Sequence, residues 1–193
     1  IRLYAAYEAT VYPSDTYKVV ATGRQKDLDE LEALVVDGTF IADKNNICIF
    51  CWDRSVRLEI YMPKLEEINL SGASKITVAG FEPQEMTVRL SGASRANIDI
   101  KTLKLTADLS GASNLEIKGD AVDGVFKASG ASGISAKEAN IKNAEVELSG
   151  ASRARFGKLD SLSGKASGAS KIYFFSALQS KVNLSGASKI IEE

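Results

Sequence analysis

The sequence has no histidine, only two cysteines, and no apolar run long enough to span a membrane. Without histidine the chain lacks the commonest general base and the commonest metal ligand. The two cysteines stand in Cys48-Ile49-Phe50-Cys51, with neither a second such pair nor a histidine to complete a zinc site. Their neighbours Ile47, Ile49, Phe50 and Trp52 read as a strand, on which residues three apart face opposite sides. A bridge between the two thiols is therefore geometrically awkward, and they are expected to be packed or free. An excess of one charge is also missing. The 24 basic residues face 25 acidic ones, which argues against a nucleic-acid binder driven by net charge. No cofactor is expected. The chain opens at Ile1, and any export signal or lipid anchor is expected upstream of it.

What the sequence has in abundance is one phrase. Ser-Gly-Ala-Ser recurs seven times, starting at Ser71, Ser91, Ser110, Ser129, Ser149, Ser167 and Ser185, in steps of 20, 19, 19, 20, 18 and 18 residues. A fixed period of this length is the signature of a solenoid, in which each repeat buries its apolar face only by stacking on its neighbours. Apolar residues hold constant offsets from the phrase. Leu70, Leu90, Leu109, Ala128, Leu148, Ala166 and Leu184 precede it, and Ile76, Ala96, Leu115, Ile134, Ala154, Ile172 and Ile190 come after it. Two residues further on come Val78, Ile98, Ile117, Ala136, Phe156 and Phe174. Spacing by two is strand spacing with one face buried. Gly turns the corner, Ala and Ser are small enough to stack at strand separation, and the stacked serines are expected to hydrogen-bond one another. The chain is therefore expected to be all-β, a parallel β-helix (solenoid) with 18–20-residue coils, which residues 65–193 build.

Residues 1–64 lack the phrase yet still read as β, with one short helix. Strands are expected over Ile1–Tyr7, Thr10–Tyr12, Tyr17–Ala21, Ile47–Trp52 and Val56–Met62. Leu28, Leu31 and Leu34, three apart among acids, predict a helix over Lys26–Leu34. Asp37-Gly38 predicts a hairpin between Leu34–Val36 and Thr39–Ala42, and Asp43–Asn46 a polar turn. This region either caps the solenoid or, the preferred reading, forms wider coils continuous with it.

Two surface features are candidates for binding. The position after each phrase reads Lys75, Arg95, Asn114, Gly133, Arg153, Lys171 and Lys189. Five of the seven are basic at one place on the coil. Stacked like charges repel, so the fold alone does not select them. Such a row can meet the anionic groups of an acidic glycan; read more plainly, it is a solvated edge neutralised by neighbouring acids. Tyr173 and Phe175 alternate with an inward Phe174 and are expected to face outward together. Catalytic β-helices that cleave acidic sugars need paired carboxylates on one sheet. Asp99, Asp108, Glu116, Glu145 and Glu147 fall at different offsets and predict no such pair or ladder. A non-enzymatic role is therefore preferred to a carbohydrate-active one. The last coil stops halfway, at Ser-Gly-Ala-Ser-Lys-Ile-Ile-Glu-Glu, and its open edge is a candidate for self-association.

The repeated corners come after a segment that reads Tyr61-Met62-Pro63-Lys64-Leu65-Glu66-Glu67-Ile68, and Ile172-Tyr173-Phe174 stands in the penultimate repeat. In these features the chain resembles the family described as putative auto-transporter adhesin, head GIN domain. The resemblance implies a right-handed parallel β-helix, export to the periplasm, outer membrane or surface of a Gram-negative bacterium, and an adhesive or scaffolding role. Its partners would then be an acidic glycan or another envelope protein.

Overall fold

The computed structural model describes residues 1–44 and 56–193. The expected strand Ile47–Trp52, the cysteines Cys48 and Cys51, and the second half of the turn Asp43–Asn46 lie outside the described residues. Asp43 and Lys44, expected in that turn, instead end a strand and are paired within it.

The regular part is a parallel β-solenoid. Its strands are β7 (Glu67–Leu70), β8 (Lys75–Phe81), β9 (Glu85–Leu90), β10 (Arg95–Leu109), β11 (Asn114–Ala128), β12 (Gly133–Leu148), β13 (Arg153–Ala166), β14 (Lys171–Leu184) and β15 (Lys189–Glu192). From β9 onward each pairs in parallel with the segment one period later, so equivalent residues of successive coils stand side by side. Leu70, Leu90, Leu109, Ala128, Leu148 and Ala166 form one inward column, each at most 3% exposed. Ile76, Ala96, Leu115, Ile134, Ala154 and Ile172 form a second, as the constant offsets predict. Large and small residues alternate to fill the interior. Phe126 lies beside Ala107 and Val146 in its row, and its ring meets that of Phe156 at 5.1 Å.

The corner explains the phrase. Its Gly has φ near 70° in every coil, a left-handed conformation that glycine adopts at least cost. Space requires glycine as well: a Cβ on Gly111 would meet the Gly92 carbonyl oxygen at 2.5 Å. The alanine amide donates to the glycine carbonyl one coil back, for instance Ala112 to Gly92 at 2.8 Å. The last serine is buried, and here the structure corrects the expectation that serines bond one another. Ser94, Ser113, Ser132, Ser152, Ser170 and Ser188 each donate Oγ–H to the carbonyl of the first serine of their own corner, at 2.6–2.8 Å. Each hydroxyl thus satisfies a backbone acceptor inside its own turn, which a buried polar group needs more than a neighbour of its own kind.

The first third is assembled out of chain order. Its elements are β1 (Arg2–Leu3), β2 (Tyr7–Pro13), β3 (Lys18–Thr22), α1 (Gln25–Asp29), β4 (Leu31–Val36), β5 (Thr39–Lys44) and β6 (Val56–Met62). β1 lies between β5 and β7, and β2 between β6 and β8, all in parallel. The chain therefore starts in the second coil, goes out to build the end coil from β5 and β6, and passes back over the β1–β2 coil to enter β7. Two expectations need correction. The strand predicted over Ile1–Tyr7 breaks after Leu3, because Tyr4-Ala5-Ala6-Tyr7 occupies the corner position opposite Ser71–Ser74. Tyr7 takes the place of the buried serine and donates its hydroxyl to the Asp43 carbonyl at 2.5 Å. The helix predicted to Leu34 ends at Asp29. Leu31–Val36 instead pairs antiparallel with β5 across the Asp37-Gly38 turn, since the hairpin satisfies its backbone and its Val35-Val36 end favours strand.

Candidate functional site

The corner fixes the outward row beside it. The residue after each phrase is the first of a strand, its amide bonded to the last serine one coil back, as Arg95 is to Ser74 at 2.9 Å. The side chains alternate out and in from there. Lys75, Arg95, Asn114, Gly133, Arg153, Lys171 and Lys189 are thus direct neighbours in one outward row. Beyond Lys75 the row continues through Glu8 to Arg57, which pair at 3.5 Å.

Apart from Glu8 at its end beside Lys75, the row holds no acid among the described residues. Among the described residues, Lys75, Arg95, Arg153, Lys171 and Lys189 carry no ion pair, while the pairs gather on other rows. Glu147 bridges Lys165 at 2.9 Å and Lys127 at 3.9 Å, and Lys118 meets Glu138 at 2.8 Å and Glu116 at 3.9 Å. The hydrogen bond from Lys165 holds the Glu147 carboxyl below the usual carboxylate range, and that to Glu138 raises the Lys118 ammonium. The acids also form rows after all. Asp108 and Glu147 share one row with Arg89, Lys127 and Lys165, so each acid alternates with cations. Facing carboxylates of the kind that hydrolyse glycosides do not arise from this alternation.

Tyr173 and Phe175 do face outward on either side of the buried Phe174, and Phe175 is 57% exposed. Each lies under a cation of the preceding coil: the Arg155 guanidinium stands 5.0 Å from the Tyr173 ring centre and the Lys158 ammonium 5.6 Å from that of Phe175. Arg155 escaped the sequence reading. The signal was available in Arg153-Ala154-Arg155, where alternation places both arginines outward.

Asn114 and Gly133, which interrupt the charge, open a hollow of about 300 Å³ in the row. Arg95 bounds one side, Arg153 and Arg155 the other, and Asn97, Glu116 and Ser135 line it from the adjacent row. Among the described residues no group of three or more Asp, Glu or Cys can hold a metal ion, and no helix is long and apolar enough to cross a membrane.

A parallel β-solenoid whose basic row carries no ion pair among the described residues is what these observations define. The chain belongs to the family described as putative auto-transporter adhesin, head GIN domain, whose model matches residues 1–177. Solved structures share the fold. One, described as a putative adhesin from Bacteroides fragilis, superposes with a TM-score of 0.86 at 14% identity, over 100% of this chain and 91% of that one. A putative adhesin from Parabacteroides distasonis gives 0.78 at 14%, over 100% and 92%. A protein from the same species described as a putative lipid binding protein gives 0.75 at 16%, over 100% and 91%. At such identities the likeness is one of fold. No curated protein resembles the chain closely enough to count as a match.

Proposed function

We propose that the protein is a non-enzymatic β-solenoid of the Gram-negative cell envelope or surface, and that it adheres to acidic glycan through the row Lys75, Arg95, Arg153, Lys171 and Lys189. One observation carries this reading. Among the described residues the row stacks like charges at strand separation without an acid partner, while other rows of the same column are paired. Stacked cations cost stability, and an anionic polymer laid along them offsets that cost. The descriptions of the family and of its structural neighbours as putative adhesins support an adhesive role.

Binding of this kind is multivalent and weak per contact, and exposed charges are screened beyond about 8 Å at physiological ionic strength. The test is retention on a polygalacturonate resin developed with a salt gradient. The wild type is expected to bind at low salt, and the triple variant Arg153→Gln, Lys171→Gln, Lys189→Gln to elute in the wash with its melting temperature unchanged or slightly raised. A wild type that is not retained even at low salt overturns the reading.

A further inference from the structure

The interruption of the row is its most specific part. We propose that the hollow between Arg95 and the Arg153–Arg155 pair is a binding site for one carboxylated sugar unit, a uronate, of the acidic glycan; this rests on the function proposed above and names its central subsite.

The first observation is Gly133. Its φ is not positive, so the backbone does not require glycine there, unlike the glycines of the corners. Glycine inside a strand costs stability and often marks a close approach by a ligand. Its neighbour in the preceding coil is Asn114, whose side chain leans over it. A Cβ at this position would enter the hollow and meet the Asn114 Oδ1 at 2.9 Å. Gly133 thus leaves room both for the Asn114 side chain and for the hollow that the two residues line.

The second observation is what surrounds that space. Arg95 and Arg153 are three strands apart in the row, about 14 Å between backbones at ordinary strand separation. Both residues line the hollow, whose span matches a ligand of sugar size. Arg155, one row over, lies against the Tyr173 ring, which holds its guanidinium in place before any ligand arrives. Guanidinium forks match a carboxylate in two parallel hydrogen bonds. The uncharged side chains Asn97 and Ser135 offer donors and acceptors for hydroxyls. Glu116, between them in its row, can accept from a sugar hydroxyl. It also sets a negative charge against the ligand, which disfavours a dianionic phosphate more than a singly charged carboxylate.

Titration calorimetry with digalacturonate, digalactose and inorganic phosphate tests this. Wild type is expected to bind digalacturonate saturably and digalactose not at all. Gly133→Gln, which fills the hollow without changing charge, and Arg155→Gln should each weaken digalacturonate by about tenfold or more, the worth of a charged hydrogen bond. Gly133→Gln should still be retained on the polygalacturonate resin through Lys171 and Lys189. If Gly133→Gln proves unfolded by its melting curve, Arg155→Gln carries the test alone. Saturable binding unaffected by either variant, or phosphate competing as well as the uronate, overturns the proposal. Resin retention without saturable digalacturonate binding removes the subsite and leaves the adhesive row standing; loss of both removes both.

Discussion

Two rows on the same column obey opposite rules. Two residues before each phrase stand Asn69, Arg89, Asp108, Lys127, Glu147, Lys165 and Asn183, in register from coil to coil. Their charges alternate strictly in sign, and Glu147 is held by lysines on both sides. Immediately after each phrase, the row from Lys75 to Lys189 carries five cations and no acid. Backbone spacing is the same in both rows, and so is the corner that anchors them. Stacking energetics alone select alternation, because unlike neighbours attract and like neighbours repel at this distance. The first row shows what the fold prefers. The second departs from it at five of its seven positions, and on that departure the proposed binding row rests.

The comparison depends on a rigid register, which the inward columns supply. Breaking that register gives the largest effect. Leu109 is fully buried between coils, and Leu109→Ala is expected to cost about 2–5 kcal/mol in urea unfolding, the usual range for a truncated core leucine. Leu184 holds the same offset but is 44% exposed in the last coil, so Leu184→Ala should cost clearly less. The reverse order would mean that the coils do not share one core.

Inverting single charges sharpens the comparison. Glu147→Lys places three lysines in succession in the alternating row and should lower the melting temperature, with added salt narrowing the difference. Lys171→Glu does the opposite in the basic row, setting an acid between Arg153 and Lys189. It should raise stability by about 0.2–1 kcal/mol while weakening retention on polygalacturonate. A destabilised Lys171→Glu would show that the basic row is paired in solution after all.

Much of this was legible in the residues. Constant offsets around Ser-Gly-Ala-Ser disclosed the parallel stack, its inward columns and the basic row, because a solenoid turns sequence period directly into spatial neighbourhood. The alternating row is legible by the same arithmetic once Asp108 and Glu147 are aligned with Arg89, Lys127 and Lys165 instead of with other acids. The order of the first coils was not. Nothing in Arg2–Leu3 states that it pairs with residues near 41 and near 69, since that choice rests on the shape of the assembled end and not on any local propensity. The corner at Tyr4–Tyr7 was hidden for a related reason: Tyr7 replaces a buried serine and finds its acceptor on Asp43, far along the chain. The hollow at Gly133 was visible as an interruption of charge, but only the placement of Arg155 in the next row shows what it faces.

The smallest expected effect is in pH. Glu147 is hydrogen-bonded by Lys165 and attracted by Lys127, and its carboxyl is held below the ordinary value of 4.5. A carboxylate whose folded pKa is depressed binds protons more readily when unfolded. Its contribution is therefore present above the unfolded pKa and lost as pH falls through the folded one. No acid stands in the basic row between Lys75 and Lys189, so that row has nothing to lose in the same window. Melting temperatures of wild type and Glu147→Gln should thus differ slightly at neutral pH and converge as the pH falls below about 4.5, in keeping with the modest worth of an exposed pair. Lys171→Gln should show no such convergence, its difference from wild type staying level across the window. Parallel curves for Glu147→Gln would mean that the alternating row is arranged in sign without being bonded. The contrast between the two rows would then rest on the register of the charges alone.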